Sequence, residues 1–188
     1  MFKVIIVLIF FSFYFPANSS SKDKVISQMK LTNNLSFNFK QTINDKSEDG
    51  KCVVEYPKKI FCEYNNANKK ILVSNGKSLV IKTNNKGSYY RYPLNKTPLE
   101  FLLSKEYLIS KIEELEPRDI DTKYLNFKIF ENNNEINIFF DKKDLNLIGW
   151  QIEDIYQNLS ITFISSVKKN QKIDSKIFKL PKNNWSSD

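Results

Sequence analysis

The sequence predicts a mainly β fold with a few helices: an open, strongly curved antiparallel β-barrel or half-barrel with a helical lid over its concave face. Apolar and polar residues alternate in short segments along most of the chain, and this period of two is typical of half-buried strands. Turn residues such as Asn75-Gly76 separate the segments. About ten antiparallel strands in one domain favour a sheet that curves strongly.

The predicted strands form two groups, one on each side of an apolar stretch at residues 97–104. A short amphipathic helix over residues 22–30 precedes the first group. The clearest strand covers residues 35–43, in which apolar residues alternate with polar ones. The other strands are predicted at residues 50–56, 60–64, 69–74, 78–83, 88–92, 124–130, 135–141, 147–155, 159–166 and 176–180.

The apolar stretch at residues 97–104 is predicted to form a helix. Thr97 can cap this helix, and Pro98 suits its first position. Three leucines fall on one helical face, and a phenylalanine widens the apolar surface. On the residues alone, a helix that opens as a lid and a helix that permanently plugs the sheet are equally consistent. The predicted lid residues are Leu99, Phe101, Leu102 and Leu103.

Residues 107–115 have two interpretations. Leu108, Ile112 and Leu115 have helical spacing, and Pro117 would end a second helix there. A loop followed by a strand is the alternative.

Two cysteines predict a disulfide. Cys52 and Cys62 lie symmetrically about Pro57, so a hairpin that turns at residues 56–58 would place them opposite each other on neighbouring strands. In an exported chain, an even number of cysteines favours a cross-strand disulfide. Two free buried thiols are the alternative. Because the chain has no histidine and no third cysteine, no metal site is predicted.

The same alternation predicts a cavity on the concave face. If the cysteines point inward, Val54, Tyr56 and Ile60 point inward as well. Ordinary core packing would produce the same pattern, so a filled interior is the alternative. The predicted cavity residues are Val54, Tyr56, Ile60, Leu72, Leu79, Ile81, Tyr90, Tyr92, Ile138 and Phe140.

The N-terminus predicts export. Residues 1–19 have the pattern of a cleaved signal peptide: Lys3 is positive, residues 4–15 are apolar, and small polar residues follow. The apolar run is well short of the about 20 residues that span a membrane, and an uncleaved anchor is the alternative. Residues 20–181 are then a single domain without a transmembrane segment, and residues 182–188 are a polar tail.

Neither catalysis nor a cofactor is predicted. The chain lacks histidine, the usual general base near neutral pH, and has no Gly-rich phosphate loop or nucleophile elbow. Glu113, Glu114 and Glu116 form the densest carboxylate group, on a predicted solvated surface. The formal net charge of +8 is spread along the chain, and a solvated surface explains it. Attraction to an anionic membrane or an acidic partner is the alternative.

Three segments resemble the LolA family of outer-membrane lipoprotein carriers. They are the strand, proline turn and strand at residues 53–61, the sequence ILVSNGKSL at residues 71–79, and NKTP at residues 95–98 before the apolar helix. The resemblance covers residues 35–105 and continues more weakly over residues 135–181.

The resemblance favours a lid over a plug and implies a function in the periplasm. LolA-like carriers accept the acyl chains of lipoproteins from an inner-membrane lipoprotein-releasing complex, hold them between a concave sheet and a helical lid, and pass them to an outer-membrane acceptor. It further implies a monomer that binds neither nucleotide nor nucleic acid. A periplasmic binding or sensor protein for another lipid or lipoprotein is the alternative within this fold. An enzyme and a purely structural β-domain are two further classes.

The chain departs from the family pattern at one position. Typical members carry an arginine before the turn proline, where it hydrogen-bonds the lid and keeps the empty cavity closed. Tyr56 stands there in this chain. We expect the Tyr56 phenol to donate a single hydrogen bond to a lid carbonyl, with lid closure relying more on apolar contact.

Overall fold

A computed structural model describes residues 20–83, 88–131, 134–154 and 156–182. The predicted signal peptide and nearly all of the predicted tail lie outside these residues. The described helices are α1 (Ser21–Leu31), α2 (Leu99–Leu103) and α3 (Lys105–Glu114). The described strands are β1 (Asn34–Ile43), β2 (Lys46–Glu55), β3 (Lys59–Tyr64), β4 (Ile71–Asn75), β5 (Ser78–Lys82), β6 (Tyr89–Pro93), β7 (Arg118–Ile120), β8 (Tyr124–Glu131), β9 (Asn134–Asp141), β10 (Leu147–Glu153) and β11 (Leu159–Lys169).

These strands form one antiparallel sheet in the order β6-β5-β4-β3-β2-β1-β11-β10-β9-β8-β7. The sheet is open, because its two edge strands, β6 and β7, do not pair with each other. The first and last strands meet in the middle, where β1 pairs with both β2 and β11. The predicted fold class, a mainly β protein with an open antiparallel sheet and a few helices, is confirmed.

The connection between the two edge strands covers one face of the sheet. It consists of a short 3₁₀ helix (Leu94–Lys96), α2 and α3, and it leads from β6 to β7. We call the covered face the inner face; it carries Phe37, Cys52, Ile60 and Trp150. Residues 107–115 are therefore helical for most of their length, as one of the two interpretations predicted.

Two apolar clusters fill the space between the inner face and the helices. In the first, α1 and α3 pack on β8, β9 and β10, and Val25, Ile112 and Phe127 are fully buried there. In the second, Leu94 and Leu103 pack on strands β1, β2, β3 and β5. Each cluster supplies apolar burial at about 25 cal/mol per Å², the main source of stability in a domain of this size.

The sequence pattern misplaced three local features. Strand β2 begins at Lys46, four residues earlier than predicted, because Asn44 and Asp45 form a tight turn with φ of 45° and 65°. Strand β7 was not predicted. Thr97 does not cap α2, since its hydroxyl donates to the carbonyl oxygen of Leu94 at 2.8 Å.

The predicted strand at residues 176–180 is also wrong. Residues Ser175–Phe178 form a 3₁₀ helix. Asp174 is its N-cap, and the Asp174 carboxylate accepts a hydrogen bond from the backbone N–H of Lys176. Phe178 is buried, and the Lys59 ammonium lies 5.8 Å from its ring centroid. The apolar pattern of this segment therefore reports packing on the sheet, not strand pairing.

None of the helices within the described ranges combines the length and the apolar character that crossing a membrane requires.

Gly50 permits close packing between β2 and β3. A Cβ atom at this position would lie 2.1 Å from the carbonyl oxygen of Glu63 and 2.9 Å from Cε1 of Phe39. We expect Gly50→Ala to destabilise the protein by about 1–3 kcal/mol, because the strands must separate to admit the methyl group. Lys51→Ala, on the exposed neighbouring residue, should change stability by less than about 0.5 kcal/mol. Urea unfolding of both variants measures the difference, and equal stabilities would contradict the packing argument.

Candidate functional site

Two adjoining cavities lie between the inner face and the helices. The first cavity, of about 70 Å³, is enclosed by all three helices and by the strands around β1. Its wall is mainly apolar and includes Leu35, Val54, Leu102, Ile138 and Phe140.

The second cavity is larger, at about 280 Å³, close to the lower limit of about 300 Å³ for typical ligand pockets. It lies toward the other end of β1, where Phe39 and Ile43 contribute to its wall. Strands β4 and β5 supply Leu72, Leu79 and Ile81. Its lining is therefore again largely apolar.

A thin wall of side chains separates the two cavities. Four residues line both of them: Phe37, Ile60, Leu99 and Trp150. The rings of Phe37 and Trp150 meet edge to face, with centroids 6.0 Å apart. Because Leu99 belongs to the short helix α2, a movement of this helix would open the wall and join the cavities.

The second cavity also has a hydrogen-bonded polar wall. The Gln41 side-chain amide donates to the hydroxyl oxygens of Ser160 at 3.0 Å and Thr162 at 3.4 Å. The Tyr64 hydroxyl donates to the Gln41 amide oxygen at 3.3 Å. Burial, with a smaller contribution from the Glu48 carboxylate, raises the pKa of Tyr64 well above its usual range. Tyr64 is therefore a neutral hydrogen-bond donor at physiological pH.

The first cavity has a basic end. Lys105 and Lys169 both line it, close to the last turn of α1. The Lys169 ammonium donates to the Gln28 amide oxygen at 2.9 Å, and the Lys105 ammonium donates to the Thr32 carbonyl oxygen at 3.0 Å. The lining of this cavity thus combines a long apolar surface with two cations.

The two cavities offer mainly apolar contacts to a ligand. Within the described residues, no group of three or more His, Cys, Asp or Glu side chains is arranged to hold a metal ion. The arrangement suits binding of an elongated apolar ligand.

Comparison with known proteins identifies the family. The family model described as outer membrane lipoprotein carrier protein LolA matches residues 30–181. The chain belongs to the LolA family. A search of curated proteins found no match.

Solved structures with a similar fold have very different sequences. An uncharacterized conserved protein from Thermus thermophilus is 7% identical, with a TM-score of 0.52, and the match covers 87% of this chain and 96% of that one. A LolA superfamily protein from Nitrosomonas europaea is 8% identical, with a TM-score of 0.47, over 86% of this chain and 99% of that one. The Thermus protein supports the fold alone.

The hydrogen bond expected from the LolA resemblance at Tyr56 is absent. Among the described residues the Tyr56 hydroxyl makes no hydrogen bond to α2; its backbone N–H donates to the carbonyl oxygen of Asn33 at 3.0 Å. Tyr56 lines the first cavity, with the Lys105 ammonium 5.9 Å from its ring centroid. Burial, with a smaller effect of the Glu106 carboxylate, raises the pKa of Tyr56 to about 12.

Lys58 holds α2 in place instead. Its backbone N–H donates to the carbonyl oxygen of Leu103 at 2.9 Å, and its ammonium lies 2.7 Å from a carboxylate oxygen of Glu100. Lys58 lies in the β2–β3 turn, directly after the cis Tyr56–Pro57 peptide, and has a φ of 65°. The charged residue that contacts α2 is therefore Lys58, two positions after the residue that is arginine in typical LolA proteins.

The two cysteines form a disulfide in the structure, with the sulfur atoms 2.01 Å apart. Cys52 and Cys62 are directly opposite each other in the pairing of β2 with β3, as the hairpin prediction required. Both line the second cavity, so the disulfide is part of the inner face.

Most of the predicted cavity residues line one of the two cavities. Val54, Tyr56, Ile60, Ile138 and Phe140 line the first, and Ile60 also lines the second. The remaining three that line the second cavity are Leu72, Leu79 and Ile81.

Tyr90 and Tyr92 line neither cavity. They pair with Ile81 and Leu79, but β6 is an edge strand, and Tyr90 is 48% exposed. The Tyr92 hydroxyl lies 3.1 Å from the Tyr156 hydroxyl on the surface.

Of the four predicted lid residues, three line a cavity and one does not. Leu99, Leu102 and Leu103 line the first cavity. Phe101 lines neither cavity; its ring packs against Tyr107, with centroids 5.2 Å apart.

Phe37, Trp150 and the two lysines belong to the site but were not predicted from the sequence. Phe37 belongs to the most regular alternating segment of the chain, so its inward direction was readable from the sequence. Its place at the centre of the site was not, because that depends on the pairing of β1 with β11 across more than a hundred residues.

The Lys58–Glu100 contact should limit the opening of α2. We expect Glu100→Gln to accelerate hydrogen exchange in α2 about two- to fivefold, because a partly exposed ion pair contributes up to about 1 kcal/mol. Tyr56→Phe should leave exchange in α2 unchanged. Hydrogen exchange with mass spectrometry measures both. Faster exchange in Tyr56→Phe alone would show that the Tyr56 hydroxyl does form the hydrogen bond to the lid that the resemblance implied.

The disulfide should stabilise the β2–β3 hairpin. Replacing both cysteines by alanine removes a cross-link of 10 residues' separation, and we expect a loss of about 2–3 kcal/mol. Thermal unfolding of the wild type with and without reductant, beside the double variant, measures this contribution. A double variant as stable as the oxidised protein would show that the cross-link contributes nothing.

Proposed function

We propose that this protein is a periplasmic carrier that binds the acyl chains of lipoproteins on the inner face and ferries them from the inner to the outer membrane. The observation that carries the proposal is the pair of adjoining apolar cavities beneath the short helix α2 in a LolA-family chain. Family membership supports a carrier of lipid-modified proteins, and LolA-like proteins are carriers without catalytic activity.

The energetics of acyl chains explain why such a site is needed. Each methylene group moved from water into an apolar environment contributes about 0.8 kcal/mol, so a free acyl chain in the periplasm would insert into a membrane or aggregate. A dry apolar cavity offers a comparable environment in water. Since the chain must later be released, the cavity must bind it less strongly than the next site does.

Entry of a chain requires α2 to move. This helix has only five residues, and its contacts with the β2–β3 turn are one backbone hydrogen bond and one partly exposed ion pair. These polar contacts are weak, and the buried side chains of Leu102 and Leu103 would exchange their contacts with the protein interior for contacts with the acyl chain. These features favour a lid over a permanent plug.

The proposed partners follow from the family. An inner-membrane lipoprotein-releasing complex would supply the acyl chains and an outer-membrane acceptor would receive them, with the carrier acting as a monomer. The alternative, a binding or sensor protein for another lipid, is favoured by one observation, the two lysines at the end of the first cavity.

Acyl binding can be tested with a matched pair of variants. Ile81 and Ile71 are half-buried residues on neighbouring strands, but only Ile81 lines the second cavity. We expect Ile81→Glu to weaken the binding of a fluorescent acyl probe about tenfold or more, because the carboxylate would replace apolar contacts with the chain. Ile71→Glu should bind like the wild type, provided that both variants unfold at similar temperatures. Equal weakening by the two substitutions would contradict binding in the cavity.

The cargo is identified by native mass spectrometry of the protein purified from a periplasmic extract. A bound lipoprotein or diacyl species supports the proposed function. A protein that is purified empty and does not bind acyl probes would overturn it.

A further inference from the structure

The end of the first cavity that lies against α1 carries two ammonium groups. The Lys105 ammonium donates to the carbonyl oxygens of Thr32 at 3.0 Å and Lys30 at 3.4 Å. The Lys169 ammonium donates to the Gln28 amide oxygen at 2.9 Å. All of these acceptors belong to the last turn of α1 or to the residue that follows it, so the two cations lie at the same end of the cavity.

The carboxylates of the described residues compensate these two cations only in part. Among the described residues, no Asp or Glu side chain lines the first cavity, and neither lysine forms an ion pair. Burial lowers the pKa of Lys169, and the carboxylate of the exposed Asp144 offsets only part of this effect. Both lysines are half-buried, so part of their hydration is lost without an opposite charge that replaces it.

Both ammonium groups retain capacity for a ligand. Each has three N–H donors; within the described residues Lys169 uses one of them and Lys105 uses two. Hydrogen bonds from an ammonium group to a carboxylate or phosphate are short and about twice as strong as neutral ones.

We infer that this end of the first cavity binds the anionic head group, a carboxylate or phosphate, of a single-chain amphiphile. The inference rests on the proposed function, because it places the acyl chain in the same two cavities. It adds a second class of cargo, since the acyl chains of a lipoprotein are linked through esters and amides and carry no anionic group of their own.

The sizes of the cavities suit this orientation. The first cavity, about 70 Å³, has room for a head group but not for a long chain. The second cavity, about 280 Å³, adjoins it across the wall that contains Leu99 and Trp150. The chain therefore extends from the lysines past this wall.

A purely structural role for the lysines makes a different prediction. Cations near the C-terminal end of a helix stabilise its free carbonyl groups, and both lysines lie beside that end of α1. Such a role is independent of the charge of any ligand.

The test compares ligands that share one chain length and differ in the head group. Hexadecanoate, hexadecyl phosphate, hexadecanol and hexadecyltrimethylammonium compete with a fluorescent acyl probe, each below its micelle concentration. We expect at least one of the two anions to bind about tenfold more tightly than the alcohol, and the ammonium compound to bind most weakly. The tighter anion identifies the head-group chemistry.

Variants connect this preference with the two lysines. Lys169→Gln and Lys105→Gln should each reduce the preference for the anion over hexadecanol several-fold, because glutamine keeps hydrogen-bond donors but removes the positive charge. Lys168→Gln, on the exposed neighbouring residue, changes the net charge equally and should keep the preference.

Three results would overturn the inference. Equal binding of the anions and hexadecanol by the wild type would reject it and leave the proposed function intact. Loss of hexadecanol binding in Lys169→Gln would assign the lysine a structural role. If the probe itself does not bind to the wild type, the proposed function fails as well.

Discussion

The structure depends on the need to cover one apolar face of an open sheet. Strands β6 and β7 lie at opposite edges, so the chain that joins them must cross the sheet, and it does so with the 3₁₀ helix, α2 and α3. In a closed barrel of about eight strands, side chains from all sides fill the interior. Here the three helices of the described residues, 11, 5 and 10 residues long, cover the eleven described strands, and the space that they leave unfilled forms the two cavities.

The general architecture was predictable because it depends on local patterns. Alternation in residues such as Leu35, Phe37 and Phe39 identifies strands and their inward faces without knowledge of the partners. The symmetric positions of Cys52 and Cys62 about the turn predicted their pairing for the same reason. The same reasoning gave a wrong strand at residues 176–180, because burial of Phe178 against another part of the sheet produces an apolar pattern without strand pairing.

The site was predictable only in part, because it depends on long-range pairing. Val54 and Ile60 could be placed on the inner face from their own hairpin, whereas Trp150 enters the site only because β10 pairs with β11 and β11 with β1. Tyr90 and Tyr92 face the same side as cavity residues, yet their strand is at the edge of the sheet. Lys58 was missed as the contact with α2, since its role follows from the geometry of a turn and not from a period of apolar residues.

The proposed function requires an acyl chain to occupy the inner face and to cross the wall between the two cavities. Trp150 lines both cavities, and the other tryptophan in the sequence is Trp185. The direct measurement is quenching of Trp150 fluorescence by acyl chains that carry bromine at different positions, in a Trp185→Phe background. We expect saturable quenching that is strongest for one bromine position along the chain, because a chain fixed beside Trp150 brings only that carbon into contact with the indole. Quenching that is absent, or that is equal for all positions and does not saturate, would contradict it.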